Sequence, residues 1–141
     1  MTNITTYLAN KLLDHALGTA EYTFPATVYV ALYKTDPTIA GTQTNEVGGA
    51  TATAYARQAT DFDASANGTC DNTSQITFTE AAAGDDWGTI SHWAIMDALT
   101  AGNMLSFGEF TKAPADPHMH ITAGMQYVIP AGTLDMSIKL A

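Results

Sequence analysis

The chain has 141 residues, of which 46% are hydrophobic and only 13% charged, enough for one core of ordinary domain size and too apolar for a disordered chain. Its single cysteine, Cys70, excludes an intrachain disulfide framework and any zinc site built from several thiolates. Acidic residues outnumber basic ones 14 to 5, the net charge is −9, and Lys11, Lys34, Arg57, Lys112 and Lys139 are scattered, so there is no basic patch for nucleic acid or for an anionic membrane.

The first segment is expected to be the only helix. Leu8, Leu12 and Leu13, with Ile4 and Leu17, recur at helical spacing. Thr2 or Asn3 can cap its start, and Gly18 stands where a left-handed C-terminal residue belongs. A helix with one apolar stripe has to lie on something, either its own body or a neighbour. Past Pro25 the period changes. Residues 27–33 are rich in β-branched and aromatic side chains and read as a strand, ended by the turn signal Thr35-Asp36-Pro37. Residues 38–52 hold Thr, Gly, Asn and Ala and little else, a long loop of the kind that is usually functional or mobile.

Further strands are expected over Ala54–Phe62, Gln75–Thr79, Thr89–Met96, Met104–Phe110, His118–Thr122, Met125–Pro130 and Thr133–Leu140. In the last of these Leu134, Met136, Ile138 and Leu140 alternate with polar residues, the pattern of a half-buried strand. One helix and about eight short strands with frequent turn signals predict an all-β fold, an antiparallel β-sandwich in a single domain over 1–141. Residues 1–18 would be its N-terminal helix or arm and 26–141 its body. There is no leader-like start and no apolar run near the ~20 residues of a membrane span, so synthesis in a cytoplasm is expected.

Chemistry-bearing patterns are few. His118-Met119-His120 on a strand would put two imidazoles on one face, and His92 could complete a three-histidine set. The cupin pattern this evokes needs a Glu a few residues on, where Ala123 and Gly124 stand, and a Gly where Lys112 stands. A pair of surface or interface histidines is the plainer reading. Asp63-Ala64-Ser65-Ala66-Asn67-Gly68 resembles the start of a calcium loop, with Asp61 and Asp71 nearby, but Ser74 replaces the bidentate Glu, which favours an ordinary turn. Cys70 beside Asp71 is a poor nucleophile, because the carboxylate disfavours a thiolate. Asp85 and Asp86 form a carboxylate pair that reads as a solvated turn. Trp87 and Trp93 suit core or subunit-interface packing better than a sugar-stacking face. No catalytic residue, metal ligand or cofactor is assigned.

An ordered series of short motifs carries a resemblance over about residues 5–140. It runs from Tyr-Leu-Ala-Asn-Lys-Leu-Leu-Asp-His (7–15) through Ala-Thr-Val-Tyr-Val-Ala-Leu-Tyr-Lys-Thr-Asp-Pro-Thr (26–38) and Asn45-Glu46-Val47-Gly48-Gly49. Tyr55-Ala56-Arg57-Gln58, Asp86-Trp87-Gly88-Thr89-Ile90-Ser91-His92, Gly102-Asn103-Met104-Leu105 and Ile129-Pro130-Ala131-Gly132 follow. In this the chain resembles a family of small virion structural proteins of tailed bacteriophages, among them head cement or decoration proteins with a jelly-roll-like sandwich, and members labelled tail fibre proteins.

The resemblance implies a non-enzymatic capsid cement protein on the virion surface. Such a protein would bind the assembled shell of major capsid protein, stabilise that state and act as a symmetric oligomer, a homotrimer at a three-fold site. The alternative is a tail fibre or receptor-binding protein that contacts a host glycan or protein. The contact residues expected for capsid or subunit are Tyr7, Leu8, Leu12, Glu46, Arg57, Trp87 and Trp93, on residues 1–18 and around loop 38–54. Arg57 could bond a partner's carboxylate through two donors, or pair within the chain with Glu46 or Asp36.

Overall fold

A computed structural model describes residues 2–110 and 118–138. Lys112, Lys139 and Leu140 lie outside the described residues. The architecture is antiparallel β with one N-terminal helix, and the described residues form eleven short strands where about eight are expected.

The largest unit is a five-stranded sheet. Its strands are β1 (Thr2–Ile4), β2 (Val28–Tyr33), β3 (Gln58–Thr60), β7 (His92–Met96) and β8 (Met104–Glu109), in the order β1-β8-β7-β2-β3. Three two-stranded ribbons complete the fold: β5 (Ile76–Thr77) with β10 (Val128–Ile129), β4 (Thr69–Asp71) with β11 (Asp135–Ser137), and β6 (Asp86–Ile90) with β9 (Met119–Thr122). Val30, Leu32, Trp93, Ile95 and Leu105 from one face of the sheet meet Ile76, Phe78, Trp87, Ile90, Ile121 and Ile129 from the ribbon side in the main core. Ala31, Tyr33, Ala94, Met96, Met104 and Phe107 form a second cluster on the opposite face. The central strands are thus buried on both faces, which explains the unbroken apolar run Trp93-Ala94-Ile95-Met96.

Several boundaries differ from expectation for identifiable reasons. The run Thr89–Met96 is two strands, because the chain changes partners at Ser91: β6 pairs with β9, whereas β7 pairs with β2 and β8. Ser91 makes the corner by donating its hydroxyl to Lys34 O at 2.9 Å and its amide to Tyr33 O at 3.0 Å. The alternation predicted after Thr133 holds for buried Leu134 and half-buried Met136 but not for Ile138, which is exposed.

The helix, α1, spans Thr6–Ala16, and its N-cap is Thr5 rather than Thr2 or Asn3. The three residues before it, including Ile4, have joined the sheet edge as β1 and pair with β8. Thr5 is buried. Its hydroxyl donates to Met104 O at 2.6 Å and accepts from Leu8 N at 3.3 Å, so one side chain both starts the helix and fixes it to β8. Gly18, with φ 71°, follows the C-cap Leu17 as expected. No described helix is long and apolar enough to cross a membrane.

Candidate functional site

α1 has two unlike faces. Tyr7 and Leu8 are half-buried against the main core, and Leu12 is half-buried beside them. On the far side Thr6, Asn10, Leu13 and Leu17 are exposed, Leu13 at 59% and Leu17 at 77%. No residue of the helix is fully buried. Phe24, just beyond, is also exposed and stands edge-on to Tyr22 and His15. The segment therefore packs on its own body through one stripe and leaves two leucines, Leu13 and Leu17, exposed on the other side.

Arg57 shows the opposite behaviour. It is 6% exposed and all five of its N–H donors are used inside the chain. Nε and Nη2 grip the Glu46 carboxylate at 2.8 and 2.7 Å, Nη2 also reaches Gln43 Oε1 at 3.1 Å, and Nη1 donates to Ala98 O and Ala101 O at 2.9 and 2.7 Å. Tyr55 donates its hydroxyl to Glu46 Oε1 at 3.1 Å. Burial alone would lower the Arg57 pKa, but the hydrogen bond and charge of Glu46 outweigh it and hold the guanidinium charged. Burial, reinforced by Glu46, pushes the Tyr33 and Tyr55 phenols upward. Of the two partners expected for Arg57 within the chain, it is Glu46 that is bonded.

Asp85 ties the same loop at a second point. Its carboxylate accepts from Thr53 N and Oγ1 at 3.0 and 2.7 Å, Ala54 N at 3.1 Å, Ala82 N at 3.2 Å and Trp87 Nε1 at 3.2 Å. Burial works to raise its pKa, but these donors prevail and hold it well below the usual carboxylate range. Asp85 is therefore a buried structural anion and not half of a solvated pair. Val47 and Ala52 are buried in the core as well. Loop 38–54, expected as a flexible contact maker, is fastened at Glu46, Val47, Ala52 and Thr53.

Asn72 plays a similar part for the end of the chain. It accepts from Thr133 N and Leu134 N at 2.9 and 2.8 Å and donates to Ser74 O and Pro130 O at 2.8 and 3.0 Å. Ser74 is two residues away, but Pro130, Thr133 and Leu134 reach it only because the chain returns past Pro130.

The histidines meet carboxylates one by one. His118 Nε2 lies 3.3 Å from Glu109, and His120 Nε2 lies 2.8 Å from Asp86. Burial pushes His92 below its ordinary value, Asp36 and Glu109 pull the other way, and His118 adds to the lowering. Among the described residues no three or more His, Cys, Asp or Glu side chains converge as a metal site. Asp63 Oδ1 accepts from Asp71 N at 2.9 Å across a tight turn at Asn67-Gly68, a use that accounts for the calcium-like spacing. Cys70 is pushed up by burial and then by Asp63, Asp71 and Asp135.

Of the residues expected to make contacts, Trp87 and Trp93 are core side chains, 1% and 4% exposed, and Arg57 and Glu46 are committed to each other. Tyr7, Leu8 and Leu12 lie on the inner stripe of α1. Within the same segment, 1–18, Leu13 and Leu17, both visible in the periodicity, and Asn10 are exposed. No curated protein matches the chain. A family model described as Gp80, podophage GP4 fiber I protein gp80, matches residues 3–137. The chain therefore belongs to this family of phage virion structural proteins.

Proposed function

We propose that this protein is a fibre component of the virion, a β-rich body that works by binding and assembly without chemistry of its own. The observation that carries the reading is the contrast between body and helix. The polar groups Arg57, Asp85 and Asn72, buried in the body, and the half-buried Glu46 are bonded to one another or to its backbone. On α1 and its C-cap, by contrast, Leu13 and Leu17 are exposed. Exposed leucines held on a fixed helix suit a protein that is built into a larger structure. The family description, which is that of a fibre protein, supports a fibre over a shell-cementing role.

Fractionation tests this. Virions are disrupted, heads are separated from tails on a gradient, and the 14.9 kDa chain is quantified in each by mass spectrometry. The expected result is co-migration with the tail and neck in few copies. Migration with heads in many copies would replace the fibre reading with capsid cementing, in which the major capsid protein is the partner.

A further inference from the structure

We propose that the turn Asn67-Gly68 is a site of spontaneous covalent modification, at which Asn67 loses its side-chain nitrogen as ammonia and the product loosens strand β11. Of the six asparagines in the chain, Asn67 alone is followed by glycine. It is exposed at the tip of a tight hairpin. Ala66 and Thr69 close this hairpin through two backbone hydrogen bonds, Ala66 N to Thr69 O at 2.9 Å and Thr69 N to Ala66 O at 3.0 Å. The two residues between them both have positive φ, 53° at Asn67 and 78° at Gly68, as a two-residue turn of this hand requires. Asparagine takes that conformation at some cost and glycine at none.

The chemistry uses these two residues and water. The Gly68 amide nitrogen attacks Asn67 Cγ, a succinimide ring closes, the Cγ–Nδ2 bond breaks, and ammonia leaves with the amide proton. Water then opens the ring at either carbonyl and leaves an aspartate or an isoaspartate at position 67. Attack requires the backbone of Asn67 to rotate out of the turn, an opening that an exposed tip makes at low cost. Gly68 has no side chain to shield the attacking nitrogen.

The effect reaches beyond the tip. Gly68 O accepts from Ile138 N at 2.9 Å, a bond that extends the β4–β11 pairing past Thr69 and Ser137. An isoaspartate lengthens the main chain by one carbon just before Gly68 and displaces that carbonyl. Either product also adds a negative charge to a hairpin that already carries Asp63 and Asp71, with Asp135 of β11 directly opposite Asp71. Like charges across a strand pair oppose the pairing. Modification at position 67 is therefore felt at Ile138.

The test uses the purified full-length chain, held at mildly alkaline pH and sampled over time by peptide mass spectrometry and hydrogen exchange. Asn10 and Asn45, both exposed, serve as internal references. Conversion at Asn67 is expected to run about tenfold or more ahead of both, and exchange at Ile138 is expected to rise in the converted fraction. Asn67→Gly suits a positive φ and has no side-chain amide to lose, so it should keep its protection at Ile138 through the same incubation. Conversion at Asn67 no faster than at Asn10 and Asn45 would overturn the proposal. So would unchanged exchange at Ile138 in the converted chain, or an equal rise in Asn67→Gly.

Discussion

Trp93 on β7 lies directly opposite Gly108 on β8, and its indole occupies the space that a side chain at 108 would need. A Cβ on Gly108 would sit 2.6 Å from Trp93 Cζ2 and 2.8 Å from Cε2. Gly108→Ala is therefore an overpacking change in the centre of the sheet, expected to cost about 1–3 kcal/mol. Urea unfolding would measure it, and a changed tryptophan emission in the folded state would show that the indole has moved.

The Arg57–Glu46 pair predicts a different pattern. Arg57→Ala strips the Glu46 carboxylate of its two guanidinium bonds and leaves Gln43, Ala98 and Ala101 without their donor. Breaking a buried pair from one side costs on the order of 3–5 kcal/mol. Arg57→Lys should recover only part of this, since one ammonium cannot span the fork. A double variant, Arg57→Met with Glu46→Gln, should be more stable than Arg57→Ala, as seen by denaturant midpoint.

Asn72→Ala removes the one oxygen that accepts from the amides of Thr133 and Leu134, and the amide nitrogen that donates to Ser74 O and Pro130 O. Each buried group left unsatisfied costs about 1–3 kcal/mol, so a loss of on the order of 3 kcal/mol is expected. Hydrogen exchange should rise first at Thr133 and Leu134, because their amides lose protection directly.

Asp85 predicts an acid limb. Its pKa is lowered in the folded protein, so its contribution is fully present above the unfolded value, about 3.9, and is lost as pH falls toward the folded value. Asp86, lowered by the Gly88 amide and then by His120, adds in the same direction. The melting temperature should therefore decline as the pH is taken below about 4. Asp85→Asn should lower the melting temperature at neutral pH and flatten that decline.

Cys70 should react slowly with thiol reagents. Burial and the carboxylates of Asp63, Asp71 and Asp135 raise its pKa, so less thiolate is present at a given pH. Alkylation at pH 8 should be slower than that of a free cysteine and should speed up in Asp71→Asn.

Patterns of side-chain type carry much of the fold by themselves. The leucine spacing of α1, the β-branched run of β2 and the strand at Met104–Glu109 are local signals, and each is observed. β1 has no such signal. Thr2–Ile4 is extended because β8 offers it an edge, and that edge is supplied by residues about a hundred positions away. The same holds for the split at Ser91, where the local sequence is continuous and only the partners change. At the candidate site Glu46 was legible as a possible mate for Arg57, whereas Asp85 and Asn72 were not. A buried polar residue is recognised by what surrounds it, and short acidic or amide-bearing stretches look alike whether water or backbone amides will meet them.

The fastening of α1 at both ends has a mechanical consequence. The chain enters the helix from β1 and Thr5 and leaves it through Gly18 toward β2, and both strands belong to one sheet, with β8 and β7 between them. A pull on the helix is thus divided between an edge strand and a central strand of the same sheet. The edge attachment, three residues long, should yield before β2 does, so under tension the helix would peel at its start and remain tethered at its end.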